Sequence, residues 1–323
     1  MKRFACPTCE EEVHFSNHSC VHCATTLGFA PESQSFTPAP PAVLCRNANA
    51  ALCNWVADPA SGYCRACQHN RTVPDAADHG EPWAKIERAK RRLFYSLIRW
   101  NLPTPVDGAQ ALAFDFLADS KDEKVLTGHA DGLITLNVAE GDDATREARR
   151  TAMGEPYRTL IGHMRHEVAH YYWQVLVQDS NRLEECRALF GDDRADYQQA
   201  LKTHYANGPR PDWDQSFVSA YAASHPWEDF AETFAHWLHM VDGLDTAMAY
   251  GMGGGAPFDP YGAPDAQAVV DAFVPVSIAI NAVNRALGQP DLYPFVLNAP
   301  VIDKMQFIHS LIAPYRVVSN GFM

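Results

Sequence analysis

One short stretch of the chain carries two histidines and a glutamate at a spacing suited to metal chemistry. His166-Glu167-Val168-Ala169-His170 lies within residues 155–178, where apolar side chains recur at steps of three and four, the period of a helix with one buried face. On such a helix the two imidazoles lie one turn apart and can bind one tetrahedral zinc ion, with Glu167 beside them near the water that zinc activates. The pattern predicts a zinc hydrolase. The alternative is a pair of ordinary helix histidines with a solvated glutamate between them.

A catalytic zinc site of this kind needs a third protein ligand, and the sequence offers candidates on a second helix. The positions that would carry a nearby third histidine hold Trp173 and Leu176 instead. Residues 227–240 are predicted to be helical, and on that helix Glu228 and Glu232 lie one turn apart. We assign Glu228 to the metal and Glu232 to a hydrogen bond with a ligand imidazole, and the opposite order stays open.

Other polar residues near this second helix are given structural roles. His225-Pro226 is predicted to start the helix, because proline is tolerated in the first turn. Asp229 is predicted to be a surface or capping carboxylate. His236 and His239 are rivals for the metal, but neither forms a one-turn pair with Glu228, so they are assigned as ordinary helix histidines.

The cysteines have spacings typical of structural zinc sites. Eight of the nine lie before residue 68, and they form two groups of four thiolates, each able to close a tetrahedron around zinc. The first group is Cys6, Cys9, Cys20 and Cys23, and the second is Cys45, Cys53, Cys64 and Cys67. The ninth, Cys186, is predicted to be buried and alone.

Three stretches resemble a bacterial family of zinc-binding metallopeptidases that carry an N-terminal zinc ribbon and are similar to the gluzincins. They are GEPYRTLIGHMRHEVAHYYW, LFGDDRADY and SAYAASHPWEDFAETFAHWLHMVD. The resemblance implies an α+β, gluzincin-like peptidase domain with a catalytic zinc held by His166, His170 and Glu228 and with Glu167 as general base. In some gluzincins a tyrosine seven residues before the ligand glutamate stabilises the tetrahedral intermediate. Tyr221 occupies that position here, and the alternative is that it is only a packed side chain.

Length and composition indicate the organisation of the chain. Its 323 residues are predicted to form a zinc ribbon (residues 1–30), a second four-cysteine module (residues 42–75) and a peptidase domain (residues 80–323), with a Pro/Ser-rich connector between the first two. The net charge of −13 argues against nucleic-acid binding. No apolar run long enough to span a membrane is evident, and the N-terminus lacks the apolar core of a signal peptide. With the cysteine usage, these features predict a cytoplasmic protein.

Several further elements are predicted from periodicity. Residues 82–101 should form a helix whose basic side chains, Lys85, Arg88, Arg91 and Arg92, make a solvated face or pack on the acidic peptidase domain, and the alternative is that they contact nucleic acid. Residues 112–117 and 132–139 should be strands. The second strand, by analogy with gluzincins, is expected to be a sheet edge that pairs with the substrate backbone, and the alternative is an interior strand.

The last third of the chain is predicted to be mainly helical. Residues 181–207 should be helical with a break at Gly191, after which Asp192 or Asp193 caps the next helix. Residues 249–266 are rich in Gly and Pro and are expected to form a surface loop or a lid. Residues 265–288 and 300–313 are predicted to be two closing helices.

Together these observations predict a zinc-dependent endopeptidase that acts on peptides or proteins, with one catalytic and two structural zinc ions. The ribbons are expected to recruit a protein partner or the substrate. The alternative is a zinc-ribbon protein that binds peptides or proteins without cleaving them.

Overall fold

The structure, a computed structural model, describes residues 1–120, 124–153, 159–253 and 258–316. The chain divides into two units, one of Lys2–Met164 and one of Met1 together with Arg165–Met323. Helices and small sheets occur together, and in the described residues all strands belong to the first unit. The predicted mixed α and β fold class is confirmed. The predicted boundaries at residues 30, 42, 75 and 80 stay a prediction.

The first unit begins with short antiparallel hairpins followed by a four-stranded sheet. The strands are β1 (Phe4–Ala5), β2 (Glu12–Val13), β3 (Leu27–Ala30), β4 (Ser35–Pro38), β5 (Asn70–Thr72), β6 (Ala113–Leu117), β7 (Gly128–Ala130) and β8 (Leu133–Asn137).

The two four-cysteine regions share one aromatic core. Phe29 on β3 lies between Phe15 and Trp55, with ring centroids 5.0 Å away in each case. The Asn54 side chain donates hydrogen bonds to the carbonyl oxygens of Phe15 and Asn17, at 2.8 and 3.0 Å. The segment predicted to be a connector contains β4, which pairs with β3. Burial alternates along this segment, as is typical of a strand: Phe36 is buried, and its neighbours are exposed or half-buried.

The four-stranded sheet has the order β5-β6-β8-β7, so β8 is an interior strand. It runs parallel to β6 and antiparallel to β7. The expectation that residues 132–139 form a sheet edge is therefore wrong, and the interior alternative is correct. The cause is the turn at Asp131-Gly132, where both residues have positive φ, 47° and 80°. This backbone is typical of a tight hairpin, which folds the preceding β7 onto the outer side of β8.

Helices make up most of the remaining described chain. They are α1 (Ala76–Arg99), α2 (Asp143–Met153), α3 (Leu160–Trp173), α4 (Leu183–Phe190), α5 (Tyr197–Asn207), α6 (Pro226–Ala249), α7 (Ala266–Ala286) and α8 (Ala299–Ile312). The predicted closing helices correspond to α7 and α8.

Helix α1 differs from its prediction in its start and in its basic face. It begins at Ala76, because the Asp75 side chain accepts a hydrogen bond from the Ala77 backbone N–H and caps the helix. Arg91 is buried rather than solvated, and its Nη2 donates to the Leu52 carbonyl oxygen at 2.9 Å. The solvated-face prediction is wrong for Arg91, because the second cysteine region lies against that side of the helix.

In the second unit α6 is the central helix and packs against α4, α7 and α8. Its apolar side chains Phe230, Phe234 and Trp237 are fully buried. Asp229 is buried as well, which contradicts its predicted surface or capping role. The burial is tolerated because Lys304 of α8 donates a hydrogen bond to Asp229 Oδ2 at 2.6 Å.

The predicted break at Gly191 is present between α4 and α5, and Gly191 has a φ of 102°. The predicted capping residues are wrong. Asp196 caps α5 by accepting from the Gln199 backbone N–H, whereas Asp192 and Asp193 pair with Arg194 and Arg187. The reason is that each of these carboxylates has an arginine two or six residues away along the chain.

The loop predicted as a lid includes residues 254–257, which lie outside the described residues. Among the helices of the described chain, α7 has the length and composition that would allow a membrane crossing. One such helix is weak evidence, since core helices have the same composition. The expectation of no membrane association stays a prediction.

Candidate metal centre and active site

Helix α3 brings the two histidines of the HEVAH stretch together. His166 and His170 lie one turn apart, and their Nε2 atoms are 3.2 Å from each other. Both ring nitrogens thus point toward one place rather than apart. The arrangement is typical of two ligands of a single ion.

The start of α6 positions the third candidate ligand. His225 caps the helix by accepting from the Trp227 backbone N–H through Nδ1, and its Nε2 donates to the Ala195 carbonyl oxygen, both at 3.1 Å. Pro226 occupies the first helical position, as predicted. Glu228 therefore falls in the first turn of α6, where the helix dipole favours a negative charge.

The three candidate ligands converge. Glu228 Oε2 is 3.0 Å from His166 Nε2, and Glu228 Oε1 is 3.7 Å from His170 Nε2. The ligand atoms all lie within 4.8 Å of one another. In a tetrahedral zinc site with bonds of 2.0–2.1 Å, neighbouring ligand atoms lie about 3.3 Å apart. Glu228 Oε2 is also buried, and its close polar contact, His166 Nε2, is itself a candidate ligand. The donor set, its spacing and this buried oxygen all fit a zinc ion.

Glu232 holds the ring of His166. Its Oε1 lies 2.8 Å from His166 Nδ1, and its Oε2 accepts a hydrogen bond from Ser219 Oγ at 2.6 Å. Because an ionised carboxylate can only accept, Nδ1 carries a proton, and in the neutral ring that could bind metal the lone pair is on Nε2, the atom that faces His170 and Glu228. This geometry favours Glu228 over Glu232 as the metal ligand.

The charges at the site depend on one another. Burial would raise the pKa of Glu228, but hydrogen bonding to His166 and the charge of His166 together lower that pKa to about 2. Burial would lower the pKa of His166, and its contacts with Glu228 and Glu232 outweigh burial and raise it well above its ordinary value. In the absence of metal the carboxylates are therefore ionised and hold a proton on His166. A dication binding here would displace that proton.

The two predicted catalytic residues lie beside these ligands. Glu167 is buried on α3 next to His166 in the chain. Tyr221 is half-buried, and its ring centroid lies 5.9 Å from that of His166. Burial, and then the charge of Glu228, raise the pKa of Tyr221. Its phenol therefore keeps its proton and remains a hydrogen-bond donor.

Two residues of the site were missed from the sequence. Tyr197, the first residue of α5, donates from its Oη to Glu228 Oε1 at 2.6 Å. Ser219 donates to Glu232, as described above. Tyr197 lies within the LFGDDRADY stretch that carries the family resemblance, so a signal was available. Ser219 lies two residues before Tyr221, and its spacing gives no signal of its own.

The rival histidines of α6 lie elsewhere. His236 Nδ1 is 2.8 Å from the Tyr293 Oη, in a buried aromatic cluster. His239 Nδ1 contacts the Arg165 guanidinium. Neither belongs to the metal-ligand groups found among the described residues, consistent with their prediction as ordinary helix histidines.

The eight cysteines of the N-terminal part form the two predicted groups. In the first group the Cys6–Cys23 and Cys9–Cys20 Sγ atoms are 3.6 Å apart, and in the second the Cys53–Cys64 Sγ atoms are 3.7 Å apart. Four thiolates bound to zinc at 2.3 Å would lie about 3.8 Å apart, so both groups fit structural zinc. Cys186 is buried and outside both groups, as predicted.

Comparisons with known proteins agree with this geometry. The family described as "Putative zinc-binding metallo-peptidase" matches residues 79–311, and a zinc-ribbon domain matches residues 3–78. An uncharacterized protein of Mycobacterium bovis and two from strains of Mycobacterium tuberculosis are each 43% identical to the chain, over 97% of its length and 95% of theirs. No solved structure shows a significant match. The chain therefore belongs to this family of zinc-binding metallopeptidases, with a zinc-ribbon domain ahead of the peptidase region.

Proposed function

We propose that the protein is a zinc-dependent endopeptidase with one catalytic and two structural zinc ions. The observation that carries this proposal is the convergence of two imidazoles and one carboxylate. The Nε2 atoms of His166 and His170 are 3.2 Å apart, and the Glu228 carboxylate lies 3.0 Å from the first through Oε2 and 3.7 Å from the second through Oε1, close to the separations of a tetrahedral site. Three protein ligands, rather than four, leave a position for water and substrate.

The chain supplies the groups that move protons around that position. Zinc bound there would supply a Lewis acid that lowers the pKa of water toward neutrality. Glu167 accepts the proton of the attacking water and passes it to the leaving amine as the peptide bond breaks. Tyr221, which keeps its proton, donates a hydrogen bond to the substrate carbonyl oxygen as that oxygen gains negative charge. Glu232 keeps His166 in the tautomer that binds metal.

The two cysteine groups have a different role. Closed four-thiolate sites have no position for a substrate, so they maintain structure. We propose that residues 1–30 and 42–75 form ribbon modules that recruit a protein partner or the substrate to the peptidase domain of residues 80–323. We propose a reducing compartment such as the cytoplasm, where the eight clustered cysteines stay available as thiolate ligands for zinc.

Replacing the general base tests the proposal. Glu167→Gln should lower kcat for a peptide substrate by about 10²–10⁴-fold with zinc retained, because only the proton acceptor is lost. Glu184→Gln, at an exposed carboxylate of α4, is the matched control and should be unaffected. Full activity of Glu167→Gln with zinc bound would contradict the mechanism.

Metal content separates the enzyme from its alternatives. Elemental analysis of the wild type should give about three zinc ions per chain, falling to about two in His166→Ala/His170→Ala. An unchanged count would contradict the catalytic site. A wild type that holds all its zinc and binds peptides without cleaving them would instead support the binding-protein alternative.

A further inference from the structure

We propose that Tyr197 is a positioning residue that occupies one oxygen of Glu228 and thereby assigns the other oxygen to the metal. The inference rests on the proposed function, since it concerns how the same zinc site is held open. Tyr197 lies outside both the HEVAH and the WEDFAE stretches, which supply the three candidate ligands.

The two oxygens of Glu228 have different surroundings. Oε1 accepts the Tyr197 phenol at 2.6 Å and is 3.7 Å from the nearer imidazole nitrogen, that of His170. Oε2 is buried and lies 3.0 Å from His166 Nε2. One oxygen therefore already accepts a hydrogen bond from the protein, and the other lies closest to His166 Nε2.

This difference matters because a carboxylate can bind zinc through one oxygen or two. If both oxygens of Glu228 bound, the carboxylate would use part of the space that an open catalytic site keeps for water and substrate. A hydrogen bond from a neutral phenol to Oε1 weakens that oxygen as a ligand and fixes the plane of the carboxylate. Glu228 is then a ligand through Oε2 alone.

Tyr197 is held firmly enough for this role. It is the first residue of α5, and Asp196 caps that helix through the Gln199 backbone N–H at 2.9 Å. Its ring packs edge-on against His225 and Trp227, with centroids 5.2 and 5.7 Å away. These two residues form the start of α6, so the donor and its acceptor share one rigid corner of the fold.

The experiment uses the full chain with its cysteine sites loaded with zinc. A mild chelator removes zinc from the histidine site alone, and zinc affinity is then measured by competition with a chromogenic chelator. Tyr197→Phe should raise the zinc Kd of this site by about 10–100-fold, as is typical when a residue supporting a metal ligand is lost. Tyr205→Phe, on an exposed tyrosine of the same helix, is the matched control and should leave the Kd unchanged.

Cobalt supplies a readout that a purely structural role would not change. One equivalent of Co²⁺ is added to the chelator-treated chain, and the spectrum of His166→Ala/His170→Ala is subtracted to remove any contribution of the cysteine sites. Tyr197→Phe should give weaker visible bands than wild type, because a second carboxylate oxygen raises the coordination number. With no metal at the histidine site, the thermal unfolding midpoints of wild type and Tyr197→Phe should agree to within a few degrees.

Two outcomes would overturn the inference. An unchanged zinc Kd and cobalt spectrum in Tyr197→Phe would mean that the phenol does not position Glu228. A normal Kd and spectrum with a lowered kcat would instead place Tyr197 in contact with the substrate. Failure of the proposed function is distinguishable from both, since the wild type would then bind no metal at the histidine site.

Discussion

The cysteine clusters and the histidine–glutamate cluster both fit zinc, but their surroundings differ. Each cysteine cluster offers four thiolates of one kind, which complete a tetrahedron and leave no position for another ligand. The cluster of His166, His170 and Glu228 offers three ligands. Tyr197 donates a hydrogen bond to Glu228, Glu232 accepts one from His166, and Ser219 donates one to Glu232. The comparison indicates that a structural site depends on the metal for its shape, whereas a catalytic site is shaped by the protein.

The two cysteine clusters also differ from each other. In the first, Cys9 and Cys23 are half-buried, whereas all four cysteines of the second are buried. The second cluster lies beside the buried side chains of Glu87, Lys90 and Arg91 on α1, and Cys67 Sγ is 3.7 Å from Glu87 Oε2. Loss of metal there would expose charged groups of the core, so the second cluster should matter more for stability.

Treatment with a chelator should give the largest difference between the histidine site and the cysteine clusters. Brief treatment with 1,10-phenanthroline should abolish peptidase activity while the cysteine sites keep their zinc, because three ligands with an open position release metal faster than four thiolates. The measurement is zinc content and activity over time, followed by addition of zinc, which should restore activity. Loss of all zinc before activity falls would contradict the assignment of closed and open sites.

The next largest effect is expected at the buried cysteine cluster. Cys64→Ser should lower the free energy of unfolding by more than about 4 kcal/mol, because it removes a ligand at a fully buried position beside the charges of Glu87, Lys90 and Arg91. Cys9→Ser, at the half-buried cluster, should cost roughly half as much, since water can replace the missing ligand. Denaturant unfolding of both variants checks the order. Equal effects would show that burial of the second cluster has no energetic consequence.

A smaller effect is expected from a buried histidine that does not bind metal. Burial lowers the pKa of His236 to about 4, below the value of about 6.5 expected in the unfolded chain. The neutral form therefore stabilises the fold fully above pH 6.5, and this contribution is lost as the pH falls from 6.5 to 4. The loss should be at most about 3 kcal/mol.

Denaturant unfolding at several pH values, in wild type and His236→Gln, measures this contribution. Glutamine cannot gain a proton in this range and can still hydrogen-bond the Tyr293 phenol, so the variant should lose less stability on acidification. Both chains would release zinc from the cysteine clusters alike, so the difference between them isolates His236. Parallel curves would contradict a neutral, buried His236.

Much of this architecture could be predicted from the sequence because the key residues are close together along the chain. The HEVAH spacing, the two cysteine groups and the α6 start at His225-Pro226 are local patterns with a direct structural meaning. The interior position of β8 follows from the local turn at Asp131-Gly132, whereas the burial of Asp229 and of Arg91 depends on partners distant in sequence, Lys304 and Leu52. Single-sequence patterns carry no information on such pairings.

Within the site, the sequence predicted the candidate metal ligands but not all of the residues that hydrogen-bond to them. His166 and His170 follow from helical spacing, whereas Tyr197 and Ser219 act through hydrogen bonds to Glu228 and Glu232 across 31 and 13 residues. Hydroxyl groups are common and have no diagnostic spacing. The resemblance of LFGDDRADY to the family marked the segment, but no physical pattern within it identified the tyrosine.

The shared aromatic core of the two four-cysteine regions should make zinc binding at one region thermodynamically dependent on zinc binding at the other. Asn54 and Trp55 of the second region bond and pack directly against Phe15 and Phe29 of the first. Zinc bound at one cluster orders residues that the other cluster needs in order to bind, so uptake should be cooperative. A zinc titration of the metal-free chain would then show a Hill coefficient above one, and limiting zinc would give a mixture of fully loaded and empty chains.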